Sequence, residues 1–198
     1  MGQYFEHDPS PKQYRQISRR YGSHELLFTT CEGVFSKDEV DDYSLTLIEQ
    51  TRRLIKPPCR VLDLGCGYGA VGIILAKICG DIELWQSDIN QTAVELTQRN
   101  CEDNGVTSNV FLSDGYEAIP VDVKFDCVLL NPPIHAGKET VYRLFRETCD
   151  RLCGGGRFYI VMHKKHGASS AIRALEGSYT DVNILYKEKG LHVIACSR

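Results

Sequence analysis

Short apolar runs alternate with longer segments of periodic polarity through most of the chain. The short runs predict buried strands at 60–64, 82–87, 110–112, 125–130 and 158–162. Between them, apolar residues recur every three or four positions, which predicts helices that bury one face. These predicted helices cover 69–79, 90–101, about 141–152, where Gly154-Gly155-Gly156 is predicted to end the helix, and 167–175. Strands that alternate with helices form a mostly parallel sheet.

Two further apolar runs follow near the C-terminus. Residues 182–186 and 191–195 flank the short segment Lys187-Glu188-Lys189-Gly190. A connection this short cannot contain a crossover helix, so the two runs must pair as an antiparallel hairpin. The sequence therefore predicts an α/β fold with a mostly parallel sheet and an antiparallel strand near one edge.

The N-terminal part follows a different pattern. Residues 1–22 are polar and predict either a solvated arm or an arm that contacts a phosphate backbone. The basic residues of this arm are Lys12, Arg15, Arg19 and Arg20. Residues 26–29 predict a short strand. We therefore divide the chain into an N-terminal arm with a short strand, residues 1–35, and a main domain, residues 36–198.

The main domain is predicted to open with a helix. Ser36 is the predicted N-cap and Glu39 its capping-box partner, while Phe35 and Val40 occupy the two positions of a hydrophobic staple. Apolar residues at helical spacing follow until Pro57-Pro58. Proline has no backbone N–H and a fixed φ, so this pair is predicted to end the helix.

Composition narrows the class of protein. Of the 198 residues, 42% are hydrophobic and 25% are charged, as in an ordinary globular protein. The formal net charge of -3 gives no general attraction to a polyanion, so nucleic-acid binding would require local basic patches. No apolar run reaches membrane-spanning length and no signal peptide is apparent, so we expect a cytoplasmic protein without membrane contact.

The cysteines do not indicate a metal or disulfide site. There are nine, an odd number, and no Cys-x-x-Cys pair occurs. Most of them fall in apolar runs or at the ends of elements, where a free cysteine behaves as a small hydrophobic residue. We expect no metal.

A glycine loop, Asp63-Leu64-Gly65-Cys66-Gly67-Tyr68-Gly69, joins the first strand of the main domain to the next helix. Glycines there let the backbone turn and approach a ligand, although the same loop could be a turn without one. The spacing of Gly65, Gly67 and Ala70 also satisfies the dinucleotide fingerprint. An acidic Asp63 would repel a pyrophosphate and suit the ammonium of an amino-acid moiety. The loop therefore favours S-adenosylmethionine over NAD.

Two aspartates follow the next two predicted strands. Asp88 is placed to hold ribose hydroxyls, and it could also cap the helix that begins near Asn90. Asp114 could accept a hydrogen bond from an adenine amino group, or it could simply form a turn with Gly115.

The segment Asn131-Pro132-Pro133-Ile134 ends an apolar strand abruptly. Because the prolines fix the backbone, the Asn131 side-chain oxygen and the Pro132 carbonyl are two acceptors in a pre-set arrangement. Two acceptors suit an incoming NH2 group, which has two N–H donors. The four residues are therefore candidate catalytic residues, and the alternative is a turn that ends a buried strand.

In this order, the motifs resemble those of class I S-adenosylmethionine-dependent methyltransferases that modify exocyclic or amide nitrogens. The segments Gly33-Val34-Phe35-Ser36, Asn131 to Lys138, and Lys164 to Ala168 are similar to those of the RsmC-type small-domain methyltransferases, which methylate guanine N2 in ribosomal RNA. The resemblance implies a Rossmann-like, seven-stranded sheet with helices on both faces, and makes residues 36–198 a methyltransferase domain. It also implies that the cofactor contacts Gly65, Gly67, Asp88, Asp114 and Asn131.

The resemblance further implies an RNA substrate, either ribosomal RNA or a ribosomal particle. A target base would have to leave its stack to reach Asn131, and Ile134 or Phe35 could pack on its face. The residues expected to contact RNA are Phe35, His135, Lys138, Lys164 and Lys165. Ile134 stands where the family usually has an aromatic residue, and Tyr43 where it often has glycine.

Other functions remain open at this point. The Asn-Pro-Pro sequence also serves enzymes that methylate protein glutamine or DNA adenine, which usually carry a recognition domain that this chain has little room for. A non-catalytic module that only binds RNA or a partner could share the fold. An NAD-dependent oxidoreductase is a third alternative.

Overall fold

The computed structural model of the chain describes residues 13–198. Its strands are β1 (Tyr14–Tyr21), β2 (His24–Cys31), β3 (Cys59–Leu64), β4 (Ile82–Asp88), β5 (Ser108–Leu112), β6 (Phe125–Leu130), β7 (Leu152–His163), β8 (Asp181–Glu188) and β9 (Leu191–Ser197). Its α-helices are α1 (Asp42–Thr51), α2 (Ala70–Cys79), α3 (Gln91–Asp103), α4 (Lys138–Arg151) and α5 (Ala168–Glu176). Short 3₁₀ helices cover Ile134–Ala136 and Lys164–His166.

Seven strands form the main sheet in the order β5-β4-β3-β6-β7-β9-β8. The first five strands in this order, β5, β4, β3, β6 and β7, are parallel, whereas β9 is antiparallel to both β7 and β8. The predicted fold class and the C-terminal hairpin are therefore confirmed. After β3 the chain crosses to β4 on one side, and it later returns to β6 on the other side. Ligands bind at such a switch point, outside the carboxyl ends of the strands.

Helices cover both faces of the sheet. Helices α1, α2 and α3 and strand β2 pack on one face, and α4 and α5 pack on the other. Successive strand residues point to opposite faces, so Val61 joins the first core while Leu62 joins the second. Both side chains are fully buried. No helix within residues 13–198 is long and apolar enough to cross a membrane.

The N-terminal part of the described chain is a β-hairpin. Strand β1 pairs antiparallel with β2 over its whole length, so the prediction of an arm is wrong for residues 14–21. Strand β2 is fixed to α3, where the Asn100 side chain bonds both the N–H and the carbonyl of Thr29. Strand β1 is mostly exposed, so no apolar run marks it in the sequence. Lys12 lies outside the described residues, and the division at residue 35 stays a prediction.

Helix α1 begins five residues later than predicted, at Asp42. Its N-cap is Asp41, whose Oδ1 accepts hydrogen bonds from the N–H groups of Tyr43 and Ser44, both at 3.0 Å. Ser36 has a φ of 57° and donates its hydroxyl to the Glu39 carbonyl, which makes a turn rather than a capping box. The predicted staple of Phe35 and Val40 therefore does not form.

Two predicted helix ends are also displaced. Helix α1 ends at Thr51, before Pro57-Pro58, and the buried Thr51 hydroxyl donates to the Leu47 carbonyl in the last turn. Helix α4 ends at Arg151, and the glycines at 154–156 lie within β7. Arg151 donates to four carbonyls of the loop 116–123, which fixes this end of the helix.

Candidate active site

A cavity of about 750 Å³ opens at the carboxyl ends of the central strands. The glycine loop after β3 and the segment Asn131–Ile134 after β6 both line it. These strands are neighbours and run parallel, so the loops that follow them meet at the same edge of the sheet. The structure thus brings together the two motifs that the sequence predicts to meet.

The glycine loop has a left-handed backbone that favours glycine. Gly65 and Gly67 have φ values of 70° and 58°. The N–H groups of Gly65 and Cys66 donate to the Ser87 carbonyl of β4, which holds the loop against the sheet. A Cβ atom built on Gly67 would meet no atom within 4 Å, so the backbone faces open space. The loop therefore has the shape and the room to receive a ligand closely.

Asp63 lies at the floor of the cavity with only 3% of its surface exposed. Its Oδ2 accepts hydrogen bonds from the N–H of Gly72, at 2.9 Å, and from the Gln86 side chain. Burial raises the pKa of this carboxyl from 3.8 to about 7. Asp63 thus joins β3 to α2 in addition to facing the predicted ligand site.

Asp88 holds the glycine loop in place. Its Oδ2 accepts from the N–H of Gly67 at 2.8 Å, and its Oδ1 accepts from the N–H of Asn90 at 2.9 Å. Burial raises the pKa of this carboxyl. The α3 cap is the Asn90 side chain, which accepts from the N–H of Thr92. Asp88 itself remains available to line the cavity.

Asp114 lies in the cavity wall with a cationic partner that the sequence did not reveal. Arg143 of α4 donates to its Oδ1 and, through Nη1, to Glu147 at 2.8 Å. Both Asp114 and Arg143 line the cavity. Arg143 escaped prediction because it is one of several charged residues on the polar side of α4.

Asn131 is held through its side-chain nitrogen. Nδ2 donates to Asp41 Oδ1 at 3.3 Å and to Ser44 Oγ at 3.2 Å. With the nitrogen end so engaged, the Oδ1 end is directed away from α1. Asp41 and Ser44 also line the cavity and were missed, because nothing in the sequence links positions this far apart. The role of Asp41 as the N-cap of α1 is the sequence feature that could have placed Asp41 and Ser44 beside the cavity.

The neighbours of Asn131 complete this side of the cavity. Pro132, Pro133, Ile134 and His135 all line it. The Pro133 carbonyl accepts from the N–H of Ala136, which starts the 3₁₀ helix after the prolines. Phe35 lines the cavity with 49% of its surface exposed, although no staple holds it.

A group of three aromatic rings lies at one side of the cavity entrance. Tyr43 stacks on His163 with ring centroids 6.1 Å apart and an interplanar angle of 9°, and His166 is tilted toward both. Tyr43 and His166 line the cavity. The predicted RNA contacts Lys164 and Lys165 are exposed in the same 3₁₀ turn, and Lys138 is exposed at the start of α4. These three lysines lie on the rim, outside the cavity lining.

A switch-point cavity with a glycine loop, an acidic residue after β4 and an Asn-Pro-Pro segment after β6 defines an S-adenosylmethionine-dependent methyltransferase. The family model for the methyltransferase small domain matches residues 25–195, and the chain belongs to this family. The predicted enzyme class and cofactor are thereby confirmed.

Relatives agree with this assignment. The uncharacterized protein YbxB of Bacillus subtilis (strain 168) is 37% identical over 199 residues, which cover 98% of each chain. The ribosomal RNA small subunit methyltransferase C of Actinobacillus pleuropneumoniae serotype 7 is 33% identical over 151 residues, 74% of this chain and 45% of that protein. The chain thus matches YbxB over nearly its whole length. It spans less than half of the methyltransferase C of Actinobacillus pleuropneumoniae.

A solved structure is similar across almost the whole fold. The 16S rRNA N2 G1207 methyltransferase RsmC of Thermus thermophilus, in complex with AdoMet and guanosine, gives a TM-score of 0.86 at 28% identity. The match covers 96% of this chain and 52% of that chain.

Proposed function

We propose that this protein methylates the exocyclic N2 amine of a guanine in ribosomal RNA. The observation that carries the proposal is the orientation of Asn131, whose side-chain nitrogen is bound to α1 and whose oxygen is left for a substrate amine. The relatives named as ribosomal RNA methyltransferases, and the RsmC structure with guanosine, support guanine in RNA as the substrate.

The residues around the cavity fit S-adenosylmethionine. The open backbone at Gly65 and Gly67 would receive its amino-acid part, and Asp88 would hold the ribose hydroxyls. Ile89 lines the cavity with 45% of its surface exposed and offers an apolar contact for a flat ring, beside Asp114. When bound, S-adenosylmethionine supplies an electrophilic methyl group.

Two acceptors hold the substrate amine. The lone pair of an exocyclic amine is delocalised into its ring, so the nitrogen is a weak nucleophile. Asn131 Oδ1 and the Pro132 carbonyl accept hydrogen bonds from its two N–H groups. They favour a geometry in which the lone pair points out of the plane of the ring. The same oxygens stabilise the positive charge that develops on this nitrogen. Positioning and electrostatics supply the rate. The nitrogen becomes acidic only as it gains the methyl group, so one of its protons can then pass to water and no strong base is required.

Aromatic and basic residues around the entrance form the proposed RNA contacts. An extruded base can stack on aromatic side chains, and Phe35, Tyr43 and His166 are available at the cavity. Ile134 provides an apolar contact beside Asn131. The phosphates would be bound by His135, which lines the cavity, and by Lys138, Lys164 and Lys165 on the rim. RNA binding would then depend on a local group of basic residues, which is consistent with the net charge of -3.

Methyl transfer from tritium-labelled S-adenosylmethionine tests this function. The substrates are naked ribosomal RNA and ribosomal subunits, both from cells that lack this protein, with DNA and a glutamine-containing peptide as competing substrates. We expect the label in RNA, and nucleoside mass spectrometry should identify it as N2-methylguanosine. The two RNA samples distinguish free RNA from a particle as the substrate. Label only in DNA or peptide, or another RNA nucleoside as the product, would overturn the proposal.

The variant Asn131→Ala tests the catalytic assignment. We expect the rate constant for transfer to fall on the order of 100-fold or more, as when one oriented acceptor or donor is removed from an active site. Affinity for S-adenosylmethionine, measured by calorimetry, should stay within a few-fold. The matched control is Asn109→Ala, an exposed asparagine on β5 outside the cavity. Full activity of Asn131→Ala would remove the proposed mechanism.

A further inference from the structure

We propose that Asp41 and Ser44 are positioning residues that orient the Asn131 side chain for catalysis. This inference rests on the proposed function, because it assigns a role to Asn131 Oδ1. Asp41 is the N-cap of α1 and Ser44 lies in its first turn, and both reach a segment about 90 positions away in the chain.

The two acceptors decide which end of the amide faces the substrate. A side-chain amide has nearly the same shape at its oxygen and nitrogen ends, so packing alone does not select one. Nδ2 has two hydrogens, and Asp41 Oδ1 and Ser44 Oγ accept from it at 3.3 and 3.2 Å. In the flipped state the amide oxygen would face the Asp41 carboxylate, which has no hydrogen to donate when ionised. Asp41 therefore excludes the state in which an NH2 group would meet the substrate amine.

Asp41 is itself held rigidly. The same Oδ1 accepts from the N–H groups of Tyr43 and Ser44 at 3.0 Å, so the first turn of α1 fixes the carboxylate. Farther along α1, Leu47 and Ile48 are fully buried in the core. Ser44 is also buried, with 6% of its surface exposed. Asn131 is thus oriented by a packed helix rather than by a mobile loop.

The charge of Asp41 also acts on the amide itself. A carboxylate that accepts a hydrogen bond from Asn131 Nδ2 polarises the amide and increases the electron density on Asn131 Oδ1. A more negative Oδ1 binds the substrate N–H more strongly as positive charge grows on that nitrogen. The effect is larger in the transition state than in the bound substrate, so it should alter the rate more than affinity.

Asp41→Asn and Ser44→Ala test the proposal separately. Asparagine is as good an N-cap as aspartate, so Asp41→Asn keeps α1 and the Oδ1 acceptor while removing the negative charge that holds Nδ2. We expect a rate constant roughly tenfold lower, because a neutral amide oxygen holds Nδ2 less firmly than a carboxylate does and polarises it less. Ser44→Ala leaves the cap intact and should cost about tenfold, the worth of one hydrogen bond. Thr46→Ala is the control on the same helix; its hydroxyl bonds the Asp42 carbonyl and does not reach Asn131.

A double-mutant cycle separates orientation from simple structural support. Transfer to RNA is measured in single turnovers for Asp41→Asn, Asn131→Ala and the double variant, together with S-adenosylmethionine affinity and thermal unfolding. If Asp41 acts through Asn131, Asp41→Asn causes no further loss in the Asn131→Ala background. An equal loss in both backgrounds, or a loss explained by unfolding, would overturn the proposal while the function stands. If instead Asn131→Ala is fully active, the catalytic assignment of Asn131 fails, and the function is then decided by the identity of the labelled product.

Discussion

The Asp88 carboxylate accepts a hydrogen bond from the backbone N–H of Gly67, which lies 21 positions earlier in the chain. The bond joins the end of β4 to the glycine loop after β3. Asp88 therefore has two tasks at once, since it holds the loop open and presents its carboxylate at the predicted ribose position.

Replacing Asp88 by asparagine should weaken cofactor binding. A hydrogen bond to a charged group contributes about 1.5–3 kcal/mol, so the dissociation constant of S-adenosylmethionine should rise roughly 10- to 100-fold. Isothermal titration calorimetry measures this change. Asp81→Asn is the control, because Asp81 is exposed and precedes the other end of β4. Unchanged affinity in Asp88→Asn would show that this carboxylate does not contribute to the cofactor site.

Asp63 should make the stability of the fold depend on pH. Burial raises the pKa of its carboxyl from 3.8 to about 7, so the folded state binds this proton more tightly than the unfolded state. The free energy of unfolding, relative to Asp63→Asn, should therefore be highest below about pH 4 and fall by a few kcal/mol as the pH rises to about 7.

The measurement for Asp63 is urea unfolding of the wild type and Asp63→Asn at several pH values. Asparagine keeps an oxygen for the N–H of Gly72 but has no proton to lose. The difference between the two proteins isolates this carboxyl from the others that titrate in the same range. A difference that does not change between pH 4 and 7 would contradict the prediction.

Tyr43 should contribute to RNA binding through its ring. Stacking of a base on an aromatic ring contributes about 1–3 kcal/mol, so Tyr43→Ala should raise KM for RNA about tenfold or more. Tyr43→Phe keeps the ring and should bind RNA as the wild type does. Affinity for S-adenosylmethionine should not change in either variant. Equal loss in both variants would assign the effect to the hydroxyl rather than to stacking.

Lys164 and Lys165 should contribute to the salt dependence of RNA binding. For each phosphate contact, log K for RNA binding falls by nearly one unit per unit increase in the logarithm of the salt concentration. Replacing both lysines with glutamine should therefore make the slope of log K against log salt shallower by about one to two units. Arg53 and Lys56, which lie between α1 and β3 away from the cavity, form the matched control pair. Filter binding of RNA at several salt concentrations gives the slope. The same slope in the double variant and the wild type would exclude these lysines from phosphate binding.

The central part of the fold was predictable because its signals are local. Strands β3, β4 and β6 each contain a short apolar run and bury most of their residues, and Asn90 caps α3 as its sequence position indicated. Strand β1 gave no such signal, since most of its residues are exposed and it is stabilised by pairing with β2.

The errors at the start of α1 have a different cause. Ser36 and Glu39 satisfy the capping-box spacing, but Asp41 offers a stronger acceptor to the first turn and Ser36 adopts a left-handed backbone. The partners of Asn131 and Asp114 were equally hidden, because each contact joins residues that only the folded sheet brings together. Sequence motifs therefore identified the two loops that border the cavity, but not the neighbouring residues that orient them.

The Asp41 carboxylate joins the earliest helix of the domain to a segment in its second half. Helix α1 precedes every strand of the main sheet, yet it supplies the groups that fix Asn131. A fragment that begins after Thr51 would lose this connection together with the buried side chains of Leu47 and Ile48. The orientation of Asn131 is therefore fixed by a contact between the N-terminal quarter of the polypeptide and a loop in its second half.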